Sequence, residues 1–132
     1  MSVIYEGFFI RAPLESTLSK DIEFKHVTTQ FRPPICHQNL YGKTARFVIT
    51  GYGNDGDNEG VSVSLATTEE AELVELFNSI AIPHITLSVS EKGKPVNTVK
   101  LEFDNNSSEL IGSVVEGTFG GFNGKNPIFE GE

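Results

Sequence analysis

Two stretches of this chain have the same pattern: residues 24–31 read FKHVTTQF and residues 84–90 read HITLSVS. Each contains a histidine, a β-branched apolar residue and a threonine, in that order. Polar and apolar residues alternate in both stretches, and this period of two predicts β-strands. The fold is therefore expected to present two similar strands, one in each half of the chain.

The strand period predicts where the side chains of each His-x-Thr element point. Residues two apart in a strand lie on the same face, so the imidazole and the hydroxyl lie side by side. The middle residue, Val27 or Ile85, points the opposite way and is predicted to lie in the core. Gln30 and Ser88 continue the two histidine faces by one more alternate position, and we take them as candidate substrate-binding residues.

Other segments complete the predicted secondary structure. Strands are predicted over residues 3–10, 43–50, 60–65 and 110–119, with a short last strand at 128–129, and residues 99–103 are read as a strand or a turn. The Gly/Asn/Asp-rich stretch Gly51–Glu59 is predicted as the turn of an antiparallel hairpin. Glu69–Asn78 is predicted as a helix, because Leu73, Leu76 and Phe77 fall at helical spacing after an acidic first turn.

The composition limits the kind of protein and of ligand. The chain has 132 residues, which predicts one domain over residues 1–132. Its net charge is −8, so it lacks the basic footprint that binding to long nucleic acid usually requires. A nucleotide ligand is therefore expected to be small.

The cysteine count and the hydropathy predict a cellular setting. Cys36 is the single cysteine, so no internal disulfide can form. The first ten residues show neither a basic region nor a long apolar run, and no stretch is apolar enough to span a membrane. These features predict a cytoplasmic protein, in the host cell if the source is viral, with no membrane partner.

The paired elements carry a definite chemistry. One neutral imidazole can take a proton from an attacking water or hydroxyl, while the other, as imidazolium, protonates the leaving oxygen. Threonine hydroxyls can donate hydrogen bonds to the non-bridging oxygens of a phosphate. The set needs no metal and no cofactor to cleave a phosphodiester. Two of the three histidines in the chain lie in this pattern, although they could also be ordinary strand residues.

The two motifs resemble those of the 2H phosphoesterase superfamily. That superfamily includes LigT-like RNA cyclic phosphodiesterases, the cyclic phosphodiesterase domains of tRNA ligases, and small viral and phage enzymes. Its motif is His-hydrophobic-Thr/Ser-hydrophobic, present twice. Residues 84–87, HITL, match it fully, whereas Thr29 stands where the family often has an apolar residue.

The resemblance implies a fold and a set of functional residues. The fold would be α+β and bilobal with pseudo-two-fold symmetry, built mainly from antiparallel sheets with few helices and a central cleft. His26 and His84 would be the acid–base pair, and Thr28 and Thr86 would bind the phosphate. Substrates would be 2′,3′-cyclic phosphates, 2′-5′ linkages or cyclic oligonucleotide signals. The chain is short for the family, and its first half contains no convincing helix.

Other interpretations remain open from the sequence. A catalytically silent nucleotide-binding or interaction module could use the same scaffold, and a β-rich structural domain would bind no ligand. Gly51–Gly56 has dinucleotide-binding spacing, but no helix follows, and we read it as a hairpin loop. Cys36 is expected to be a packing residue and His37 a loop residue. The oligomeric state is not predicted.

Overall fold

A computed structural model describes residues 3–105 and 108–130 of the chain. The strands are β1 (Tyr5–Ile10), β2 (Lys20–Asp21), β3 (His26–Phe31), β4 (Thr44–Asn54), β5 (Asn58–Thr68), β6 (His84–Val89), β7 (Val114–Phe122) and β8 (Pro127–Ile128). One α-helix, α1 (Ala71–Asn78), and two 3₁₀ helices, Gln38–Leu40 and Pro95–Lys100, complete the described part. The fold is mostly antiparallel sheet with few helices, as expected for an α+β protein.

The strands form one antiparallel sheet in the order β2-β6-β5-β4-β7-β1-β3, with β8 paired to β7. Four strands separate β3 from β6 in this order, yet β3 and β6 contact each other. The sheet therefore curls until the two motif strands meet. None of the helices in residues 3–105 and 108–130 is long and apolar enough to cross a membrane.

The inner face of the curled sheet carries the hydrophobic core. Val27 and Ile85, the middle residues of the two motifs, are both fully buried in it, as the strand period predicts. Phe8 packs edge-on against Phe47 at 4.9 Å between ring centroids. Phe77 of α1 also lies against Phe47, so the helix covers this core from one side. Burying a large apolar side chain contributes about 1.5–3 kcal/mol, so these residues stabilise the curled sheet.

The predicted helix is confirmed, and the predicted hairpin is longer than expected. α1 begins two residues later than the sequence indicates, after Glu70. Strands β4 and β5 extend to Asn54 and Asn58, so most of the glycine-rich stretch is strand. The reason lies in tertiary packing: a Cβ at Gly53 would lie 3.0 Å from Leu101 Cβ and 2.9 Å from the Glu102 carbonyl oxygen. The glycines there make room for a covering segment.

The two motif strands pair with their neighbouring strands in the same register, and we call each of these pairings a frame. In the first half, Gly7 pairs with Thr28 and Glu6 pairs with Gln30. In the second half, Gly60 pairs with Thr86 and Glu59 pairs with Ser88. Each half thus sets a Glu-Gly dipeptide against its motif strand in the same register.

The frame also explains the glycine of each dipeptide. A Cβ on Gly7 would collide with the carbonyl oxygen of Val27, and one on Gly60 would lie 2.9 Å from that of Ile85. Val27 and Ile85 are equivalent residues, so the same close approach of two backbones occurs twice. A side chain at either position would push the motif strand away.

We expect Gly60→Ala to lower the free energy of unfolding by about 1–3 kcal/mol, because the added methyl group overpacks against Ile85 and Thr98. Urea unfolding followed by circular dichroism measures the change. Ser64→Ala, at an exposed position of β5, is the control and should change stability by less than about 0.5 kcal/mol. Equal stability of both variants would show that the close approach is not a constraint.

Candidate functional site

The curl of the sheet brings the two motif histidines into one region. His26 is the first residue of β3 and His84 is the first residue of β6, and these strands contact each other. Both imidazoles are half-buried. His84 lies close enough to His26 for its charge to lower the pKa of His26. Two side chains that are far apart in the sequence therefore share one electrostatic environment.

The two imidazoles are held in the same way. His26 Nδ1 lies 2.8 Å from the carbonyl oxygen of Phe24, and His84 Nδ1 lies 2.8 Å from that of Ile82. In both cases the carbonyl belongs to the residue two positions earlier. A carbonyl oxygen can only accept, so Nδ1 must carry the proton in each ring. Each neutral ring therefore has its lone pair on Nε2, the atom that can exchange a proton with a ligand.

Among the residues that the structure describes, aromatic ring contacts are made by His26 and not by His84. Tyr5 stacks on His26 at 4.4 Å between ring centroids, Phe122 stacks on Tyr5 at 5.1 Å, and the ring of Phe9 lies 5.7 Å from that of His26. The Tyr5 hydroxyl is 3.2 Å from His26 Nδ1. Burial is the main cause that holds the pKa of His26 below its usual value of 6.5. The hydrogen bond to Phe24 opposes this effect, and His84 adds to it.

The two motif threonines have different surroundings. Thr28 is half-buried, and its hydroxyl makes no side-chain hydrogen bond within the described ranges. Thr86 is 9% exposed, and its hydroxyl donates to Thr98 Oγ1 at 2.8 Å. Thr98 belongs to the 3₁₀ helix Pro95–Lys100, which lies over β6. Among the described residues, the hydroxyl of Thr28 therefore has no side-chain partner, whereas the hydroxyl of Thr86 is engaged.

The structure corrects the faces that the sequence predicts for Gln30 and Ser88. A β-bulge makes Thr29 an extra residue in β3, and another makes Leu87 an extra residue in β6. One extra residue reverses the phase of a strand. Gln30 thus pairs with Glu6 on the opposite face from Thr28, and Ser88 is fully buried beside Glu59. Neither residue therefore continues the histidine face, which was the basis for predicting that they bind substrate.

Two buried carboxylates, which the sequence reasoning missed, support the frame around the site. Glu6 is fully buried and accepts hydrogen bonds from the His37 backbone N–H, His37 Nδ1 and the Tyr41 hydroxyl, each at 2.8 Å. His37 therefore anchors its loop to the sheet, and it does more than the loop role predicted for it. Nothing in the local sequence marks Glu6 as buried, because its donors come from residues that are distant along the chain.

Glu59 is the equivalent carboxylate in the second half. It is 1% exposed and accepts hydrogen bonds from Thr17 N–H, Thr17 Oγ1, Ser88 Oγ and the Tyr52 hydroxyl. Burial alone would raise the pKa of Glu59, but these donors outweigh it and hold the pKa below the usual 4.5. Ser88 thus has a structural role: it ties β6 to this carboxylate.

Two open depressions lie away from the histidines. One, of about 440 Å³, is lined by residues that include Lys43, Arg46, Glu70 and Glu116. The other, of about 460 Å³, is lined by residues that include Tyr52, Asn54, Lys100 and Asp104. Both mix cations with carboxylates, so neither presents the uniform positive charge that would select a phosphate. Within the described ranges, no group of three or more His, Cys, Asp or Glu side chains is arranged to hold a metal ion.

Comparisons with known proteins identify no relative of this chain. No protein-family model matches the sequence, no curated protein matches it significantly, and no solved structure matches the fold significantly.

We expect Glu59→Gln to be less stable than the wild type by about 2 kcal/mol at neutral pH, because the amide loses charged hydrogen bonds and brings its own donors against Thr17 and Tyr52. The folded-state pKa of Glu59 is lowered, so its stabilisation is present above pH 4.5 and is lost as the pH falls below that value. The difference in the free energy of unfolding between variant and wild type should therefore become smaller in acid. Urea unfolding across pH measures this, with Glu91→Gln in an exposed loop as the control. A gap that stays constant in acid would contradict a charged Glu59.

Proposed function

We propose that the protein is a metal-independent phosphodiesterase of the 2H type that acts on a small nucleotide phosphodiester. One observation carries the proposal. Two histidines from separate halves share one region, and each donates its Nδ1 proton to the carbonyl of the residue two positions earlier. This leaves Nε2 of both rings for proton exchange, which is the requirement for paired acid–base catalysis.

The environments of the rings support different roles. The aromatic cover and the lowered pKa keep His26 neutral at physiological pH, which suits a base that takes a proton from the attacking oxygen. His84 then protonates the leaving oxygen from the other side of the phosphate. The hydroxyl on the same face of β3, Thr28, donates to a non-bridging oxygen as negative charge builds up there.

The matched frames support the bilobal symmetry that the 2H resemblance implies. In this proposal the halves around β3 and β6 are the two lobes, and the substrate lies where they meet. The net charge of −8 favours a short or diffusible ligand over long nucleic acid. Candidate substrates are 2′,3′-cyclic phosphates, 2′-5′ oligonucleotides and cyclic oligonucleotide signals.

We expect the wild-type protein to cleave at least one member of a panel of 2′,3′-cyclic nucleotides, 2′-5′ oligoadenylates and cyclic dinucleotides in the presence of EDTA. His26→Ala and His84→Ala should each lower kcat by about 10²–10⁴-fold, because each removes one proton-transfer group. Chromatography of the products measures turnover.

The control is Ser64→Ala, an exposed position of β5 outside the two motifs. Its kcat should stay within a few-fold of the wild-type value, after unfolding experiments confirm that it is folded. Retained turnover in both motif variants would refute the enzyme proposal. Nucleotide binding without turnover would favour a catalytically silent module instead.

We also expect kcat/KM to fall in acid with a midpoint below 6.5, because the lowered pKa of His26 delays its protonation. Tyr5→Leu removes the ring that covers His26, so it should move this midpoint to higher pH. Tyr5→Phe keeps the ring and should leave the midpoint in place. A wild-type midpoint above 6.5, or one that Tyr5→Leu does not move, would contradict the assignment of His26 as the base.

A further inference from the structure

The two threonine hydroxyls occupy equivalent positions but differ in hydrogen bonding. Thr28 and Thr86 each pair with a glycine, Gly7 or Gly60, directly before a bulge. By symmetry alone, both hydroxyls would face a bound phosphate. However, the 3₁₀ helix Pro95–Lys100 covers the second position.

The hydrogen bonds around Thr98 are fixed by a buried amide. Asn58 is 2% exposed, and its Nδ2 donates to the Lys94 carbonyl oxygen at 2.6 Å and to Thr98 Oγ1 at 2.9 Å. Rotating the amide would place its oxygen against the Lys94 oxygen, so this orientation is the stable one. Thr98 Oγ1 therefore accepts a hydrogen bond from Asn58, and Thr98 itself is fully buried.

The Thr86 hydroxyl donates to this same oxygen at 2.8 Å, a normal length for a strong bond between hydroxyls. Its one other acceptor in the described part is the Pro95 carbonyl oxygen at 3.5 Å. A hydroxyl has a single proton to donate. A phosphate oxygen could bind Thr86 only after breaking a buried bond, and such bonds are strong in a low-dielectric interior.

We infer that Thr28 alone supplies the threonine hydroxyl that binds the phosphate, and that Thr86 is a structural residue whose hydroxyl fastens the 3₁₀ helix Pro95–Lys100 to β6. The inference rests on the proposed function for its choice of ligand. The phosphate is then held from the β3 side, next to His26. The two motifs are similar in structure, but only the first one binds the phosphate through its threonine.

Binding of inorganic phosphate, followed by phosphorus NMR titration, tests the inference independently of turnover. Thr28→Val should lower phosphate affinity at least tenfold and leave the urea midpoint near the wild-type value. Thr86→Val should lower the urea midpoint and change phosphate affinity by less than threefold. Thr28→Ser, which restores a hydroxyl, should recover most of the affinity.

Thr98→Val covers the case in which Thr86→Val does not fold. It removes the acceptor and keeps the Thr86 hydroxyl, so phosphate affinity should stay equal or rise. Equal losses of affinity in Thr28→Val and Thr86→Val, a loss in Thr98→Val, or no phosphate binding by the wild type would each overturn the inference. If the wild type turns over a nucleotide but Thr28→Val and Thr86→Val lose phosphate affinity equally, the inference fails and the proposed function is retained. If the phosphate affinities are as expected but no nucleotide is turned over, the proposed function fails and the assignment of Thr28 as the phosphate-binding threonine is retained.

Discussion

The arrangement of the site depends on two buried carboxylates, Glu6 and Glu59, each set beside a glycine where a strand pairs with a motif strand. Taking a carboxylate out of water costs several kcal/mol unless donors replace the water. Both glutamates meet this requirement with side chains and backbone from distant loops, around His37 in one half and Thr17 in the other. Each carboxylate therefore binds one loop to the sheet, beside its own motif strand.

The bulges next to these carboxylates limit how much of each strand faces the site. A regular strand would continue the histidine face to Gln30 and Ser88. The extra residues Thr29 and Leu87 turn both strands over directly after the threonine. Each strand thus carries one histidine and one threonine on this face, and Gln30 and Ser88 lie off it. The contact between β3 and β6 then brings these two short faces into one region.

The alternation of polar and apolar residues along the sequence predicts the strand faces and the helix of this arrangement. The strand phase places Val27 and Ile85 in the core, and the acidic first turn and apolar spacing locate α1. The bulges could not be predicted in this way, because an extra residue is defined only by the partner strand. The strand positions of Gly51 and Gly53 depend likewise on Leu101 and Phe103, which are distant in sequence and pack on them. In the sequence, Glu6 and Glu59 are indistinguishable from surface carboxylates.

The differences between the halves are as informative as their likeness. An acid and a base must hold different numbers of protons at the same moment, so two identical sites would compete for one role. Here the frames match, but the covers differ: aromatic rings lie on His26, and a 3₁₀ helix lies over β6. Burial disfavours imidazolium at His26, which agrees with the proposal that His26 is the base and His84 the acid. In the proposed mechanism, the repeated pairing supplies the geometry, and the unequal covers determine which histidine takes the proton and which gives it.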